Sequence, residues 1–118
     1  MKRFASQYLY VSGKLYHHYV IEVDEDGIHL FLLDKEIAST VFFNGLLLVV
    51  NSELDSTVIQ KQLMDALDVE CDLLAIFSKL GFDKMKANPN HFQLFLFENI
   101  DLKTYQWLSE SILKPLTN

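Results

Sequence analysis

Glu36-Ile-Ala-Ser-Thr-Val-Phe-Phe-Asn-Gly-Leu-Leu-Leu-Val-Val50 sets one Asn-Gly pair between two apolar runs. A type I′ turn needs φ > 0 at both central residues, and Asn-Gly meets that need at least cost. The pattern therefore predicts a hairpin that turns at Asn44-Gly45. Phe42-Phe43 and Leu46 to Val50 are too apolar for strands wetted on one face, so the hairpin is expected to be central and buried on both sides.

Upstream, Phe4 to Val11 alternates loosely and is rich in tyrosine, which favours a pleated, half-buried surface. Ser12-Gly13-Lys14 is a turn, Leu15 to Val23 a second strand, and Asp24-Glu25-Asp26-Gly27 closes a hairpin onto a third strand, Ile28 to Leu33. Asp34-Lys35-Glu36 turns the chain into the central hairpin. Strands joined by such short turns are expected to be antiparallel throughout.

Downstream of Asn51 the period changes. Leu54, Val58, Ile59, Leu63, Met64 and Leu67 form a helical stripe, with Ser52, Asp55 and Ser56 as candidate N-caps. Leu73, Leu74, Ile76, Phe77 and Leu80 form a second stripe, and Gly81 suits the C′ position. Asp68-Val69-Glu70 reads equally as a break between two helices or as the wet face of one. Asn88-Pro89-Asn90 is a turn, and Phe92 to Phe97 a strand. Leu102, Tyr105, Leu108 and Ile112 fit a helix capped by Asp101, whereas Lys103, Tyr105 and Trp107 share one face of a strand; propensity favours the helix. The expectation is one α+β domain over 1–118, mainly an antiparallel β-sandwich. Its strands lie within 4–50 and 92–116, with one or two helices inserted at about 54–80.

The 118 residues are half apolar and 13% aromatic, enough to hold a core without staples and too apolar for disorder. The formal charge of -6 speaks against nucleic acid, whose phosphates require a basic face, and against anionic membrane surfaces. Cys71 is the only cysteine, so no internal disulfide forms. No stretch approaches the ~20 apolar residues of a membrane span, and no signal-peptide core follows Met1-Lys2-Arg3. A soluble cytoplasmic protein is expected.

Two portions of the chain resemble amidohydrolase-superfamily enzymes, the metal-dependent deaminases and related hydrolases. The matching residues are Phe4-Ala-Ser-Gln-Tyr-Leu-Tyr10, Ile21-Glu-Val-Asp-Glu-Asp-Gly27, Phe42-Phe-Asn-Gly-Leu-Leu-Leu-Val49 and Phe92-Gln-Leu-Phe-Leu-Phe-Glu-Asn-Ile-Asp-Leu102. Leu108 to Ser111 and the apolar end are similar to their closing hairpin. The resemblance implies the small β-sandwich that stands outside the catalytic barrel, and it favours strands over helix in 103–116. It also marks a departure. The enzymes follow this hairpin with a Pro-Gly turn and a metal-binding His-x-His pair, but here the chain runs Val50-Asn51-Ser52-Glu53-Leu54-Asp55. A barrel needs about 200 residues or more, and only some 30 separate the two β portions. The resemblance thus implies an accessory sandwich without its barrel.

Candidate chemistry is sparse. Adjacent strand residues face opposite sides, so His17 and His18 are expected to point apart rather than share a metal, with His29 across from one of them. His91 reads as a surface histidine. Asp24, Glu25 and Asp26 lack the length of a calcium loop. Cys71 stands between Glu70 and Asp72, which disfavour a thiolate. No nucleophile elbow, phosphate loop or Cys-x-x-Cys occurs. The expectation is no catalytic residue, no cofactor and no metal. Tyr8, Tyr10, Tyr16 and Tyr19 fall on two neighbouring strands; they are either cross-strand core pairs or an exposed interface patch. The functional expectation is a non-catalytic structural or interaction module, a homo-oligomer or a binder of another protein. The alternatives are a small ligand-binding protein and a regulatory partner of a full-length amidohydrolase.

Overall fold

The computed structural model describes residues 2–25, 27–33, 40–84 and 92–116. The turns expected at 34–36 and 88–90, Asp26 and His91 lie outside these described residues. The fold is α+β: β1 (Lys2–Val11), β2 (Lys14–Asp24), β3 (Gly27–Leu32), β4 (Thr40–Asn51), α1 (Ser56–Leu67), α2 (Leu73–Lys79), β5 (Phe92–Glu98) and β6 (Ile112–Pro115). The strands form one open sheet in the order β3-β2-β1-β4-β5-β6.

The expected central hairpin is corrected. Asn44-Gly45 lies inside the continuous strand β4, which pairs parallel to β1 from Arg3↔Thr40 to Val11↔Val49, with a register shift between Ser6 and Tyr8. A hairpin would have set Val41–Phe43 against Leu46–Leu48. Both runs instead use their edges on β1, and the longer ladder wins over the local turn preference. The type I′ geometry appears at Ser12-Gly13, where φ is +52° and +83° and Val11 pairs with Lys14. The sheet is therefore mixed, not all-antiparallel.

It is also one sheet with helices on a face, not clearly a sandwich. β4 and β5 are apolar on both sides, a pattern that cannot tell a covering helix from a second sheet. Leu46, Leu48, Val50, Phe95 and Phe97 pack with Ile59 and Leu63 of α1 and with Leu73, Ile76 and Phe77 of α2. The other face carries Phe4, Leu9, Val11, Ile21, Leu47, Val49, Leu94 and Leu96 as a second cluster.

Two helices form, not one. Asp55 caps α1 by accepting the Thr57 N–H at 3.0 Å, and Asp72 caps α2 by accepting those of Leu74 and Ala75. Between them the backbone of Cys71–Leu73 pairs with Tyr105–Trp107: Leu73 N–H donates to Tyr105 and Trp107 N–H to Cys71. A continuous helix could not offer those groups. α2 ends in a Schellman motif, with Phe82 N–H on the Phe77 carbonyl, Gly81 N–H on that of Ser78, and Gly81 at φ +83°. The buried Gln93 amide donates to the carbonyls of Ser52 and Leu54, tying the start of the helical segment to β5. The ambiguous tail is neither a helix nor one strand. It turns over 102–105, with the Asp101 carboxylate accepting from Lys103 and Thr104, before β6.

Candidate functional site: a carboxamide pocket where four strands break

Four neighbouring strands lose their regular pleat at one level of the sheet. In β1, Phe4 and Leu9 face the same cluster although they are an odd number of residues apart. One residue near Gln7 has been turned. The buried Ser6 hydroxyl bridges the break by donating to the Tyr8 carbonyl at 2.5 Å. In β2, Tyr16 and Tyr19 likewise share a face, and His18 between them sits at φ +57°. In β4 the irregularity falls at Asn44-Gly45, with Gly45 at φ +144°. β5 ends at Glu98, and Asn99 leaves it at φ +58°. Breaks of this kind re-aim side chains and often adjoin binding sites.

The break opens a pocket of about 220 Å³, lined by Gln7, Asn44, Gly45, Asn99, Ile100 and Leu102. Three carboxamides supply its polar side chains, and Ile100 and Leu102 its apolar wall. Gln7 Oε1 is buried without a hydrogen-bond partner. The far wall is wired in place: Ser111 Oγ donates to the Asn99 carbonyl at 2.7 Å, and Asp101 and Gln106 pair through Asp101 N–H at 2.9 Å. A wider, more open depression of about 530 Å³ lies against Gln62, Asp65, Ala66, Val69, Lys79 and Leu80 of the helical segment.

The four tyrosines do not meet as one patch. Tyr10 is buried against Phe77 under the helices, and burial raises its phenol pKa. Tyr8 is half-buried on the same side, stacked on His17 and edge-on to Tyr105, whose own pKa is raised chiefly by its hydrogen bond to Tyr8. Tyr16 and Tyr19 pack together on the opposite face, ring centroids 4.8 Å apart. The expected divergence of His17 and His18 is corrected: their rings lie 4.1 Å apart, because the positive φ at His18 brings them together. His29 sits across from Glu22, not from either histidine, with Nε2 3.5 Å from an Asp24 oxygen. Among the described residues, no three His, Cys, Asp or Glu side chains gather in a way that could hold a metal. Cys71 is exposed.

No family model, curated protein or solved structure matches the chain. Among the described residues, no helix is long and apolar enough to cross a membrane.

Sequence reasoning singled out neither Gln7 nor Asn99 as a site residue, and it read Asn44 only as a turn residue. A glutamine in the middle of a strand, level with an Asn-Gly pair, was the available signal. Its meaning depends on the parallel register that aligns the two.

Proposed function

We propose that this chain is a non-catalytic interaction module whose sheet continues into a second copy of itself through β3. The observation that carries this reading is the difference between the two sheet edges. β6 is four residues long and ends in Lys114-Pro115, features that discourage strand addition. β3 is six residues long, Gly-Ile-His-Leu-Phe-Leu, with no Lys, Arg, Asp, Glu or Pro. Among the described residues its outer backbone groups have no partner.

A two-fold axis keeps side chains on their own faces only if it passes through a residue. Centred on Leu30, it sets Leu30 against itself, Ile28 against Leu32 and His29 against Phe31. Leu32, 53% exposed in the single chain, then gains an apolar neighbour. Tyr16 and Tyr19 border the same face, and Tyr19 pairs with Leu32. The non-catalytic part of the reading rests on the pocket's polar groups: carboxamides neither titrate nor act as nucleophiles in the ordinary pH range.

Sedimentation equilibrium tests the assembly. The expected result is twice the chain mass for the wild type and the chain mass for Leu30→Lys, which sets two like charges together at the axis. A wild type that stays monomeric as concentration rises removes the proposal. One observation favours a second reading, an accessory partner of an amidohydrolase. β5 pairs along β4, so both portions that carry that resemblance join in one sheet. Material from the native cell that runs as a complex with a larger hydrolase supports it.

A further inference from the structure

We infer that the start of β4, Thr40 to Asn44, is a docking slot for an extended, uncharged peptide segment rich in β-branched residues, which adds a strand beside it. This stands apart from the β3 edge and does not rest on it.

The slot exists because β5 stops short. β5 pairs with β4 from Asn51 back to Leu46, and Asn99, at φ +58°, carries the chain away from the ladder. β4 itself runs on to Thr40 with β1 along one side. Among the described residues, no strand pairs with its other side over 40–44. Exposure marks the same limit within the one strand. Leu46 to Val50 are at most 2% exposed, whereas Val41 is 50% and Phe42 47% exposed.

The backbone decides first what fits. An open strand edge presents a row of N–H and C=O groups, and an extended chain is the partner that meets such a row along its length. The side chains narrow the choice. Val41 pairs with Phe4 and Phe42 with Ala5, so successive positions offer apolar groups on opposite faces of the sheet. β-branched residues pack well against such a surface. Charge narrows it further. Thr40 to Asn44 are uncharged, and Glu98, opposite Gly45 at the end of β5, is already paired with Lys114 at 2.7 Å. A charged side chain in the occupant would find no free partner there.

Length separates a peptide from a second folded copy. At roughly 3.4 Å per residue the slot is about 17 Å long. One end is closed, where Ser111 Oγ donates to the Asn99 carbonyl at 2.7 Å. A contact confined to this stretch falls well short of the roughly 1,200 Å² that stable interfaces between folded proteins bury. A free segment, held by main-chain hydrogen bonds, suits it.

The test is an NMR titration of the uniformly 15N-labelled chain with acetyl-Lys-Val-Thr-Val-Thr-Val-Lys-amide, whose lysines lie outside the five paired positions. Two controls replace its central Val by Pro, which breaks the extended hydrogen-bonding backbone, or by Asp, which adds a charge. The Val peptide should shift the backbone amides of Val41 to Asn44 saturably and slow their hydrogen exchange, and both controls should bind about tenfold more weakly or not at all. Val41→Thr with Phe42→Thr keeps two β-branched residues at exposed positions and removes apolar surface, so it should weaken binding about tenfold while the rest of the spectrum stays that of the folded wild type. Should this pair unfold the chain, Phe42→Thr alone and the three peptides still decide. No saturable shift, shifts centred on 27–32 of β3 instead of 41–44, equal binding of the Pro or Asp peptide, or wild-type affinity in the folded variant would each overturn the inference.

Discussion

Gly45 lies so close to the carbonyl oxygen of Phe97 that a Cβ on it would overlap that atom. The approach is what lets β5 reach the break in β4, where Leu46 pairs with Phe97. Two penalties would meet in any larger residue. Backbone cannot swing aside as a flexible side chain can, and overpacking a tight site costs about 1–3 kcal/mol. The φ of +144° adds strain for a residue bearing a Cβ. Gly45→Ala is expected to cost about 3 kcal/mol, and Gly45→Val more. Urea midpoints measure it, and an alanine variant within error of wild type would show that the contact relaxes freely.

That same glycine shows how far the sequence could be read. Strands at 4–11, 15–23, 28–33 and 92–97, the turn at Ser12-Gly13 and the stop at Gly81 were legible, and Asp55 was one of three candidate caps. Each depends on residues close in sequence. Asn44-Gly45 was misread because its local preference is real but was outweighed by a strand whose paired residues lie 37 or 38 positions upstream. β1 offers β4 a parallel ladder, and no local signal announces a parallel partner. The sheet's second layer was misassigned for a related reason. Alternating apolar faces in β4 and β5 demand cover without naming it. The pocket was the least legible part. Gln7, Asn44 and Asn99 come to line one pocket only once the register brings β1, β4 and the end of β5 to one level.

Two carboxylates, the exposed Asp55 and the half-buried Asp101, give the fold an acid-sensitive component. The Thr57 backbone N–H is the main cause holding Asp55 below the usual aspartate pKa, and the Lys103 backbone N–H does the same for Asp101. A carboxylate whose pKa is lower folded than unfolded stabilises the fold above the unfolded value, near 3.9, and loses that contribution as pH falls through the folded one. Urea midpoints should therefore fall as pH drops below about 4. Asp55→Asn and Asp101→Asn keep an acceptor at each position but remove the titration, so each should flatten this acid limb. Variants with the wild-type slope would place the proton uptake at other groups.

Phe77 tests whether the helical segment is part of the core or an ornament on it. Its ring lies 4.9 Å from that of Tyr10 on β1 and 5.4 Å from that of Phe97 on β5, and it is fully buried. One side chain from a seven-residue helix thus touches two strands that β4 separates. A helix so short has little stability of its own, so its place depends on this contact. Phe77→Ala is expected to cost about 3–5 kcal/mol, as for buried aromatic truncations elsewhere. Met64→Ala, on the exposed side of α1, should stay within about 0.5 kcal/mol. Chemical denaturation with hydrogen exchange separates two outcomes. If the core is shared, Phe77→Ala lowers protection in β4 and β5 together with the helices. Should only residues 56–79 lose protection while the strands keep theirs, the helices would be a cover that the sheet can shed.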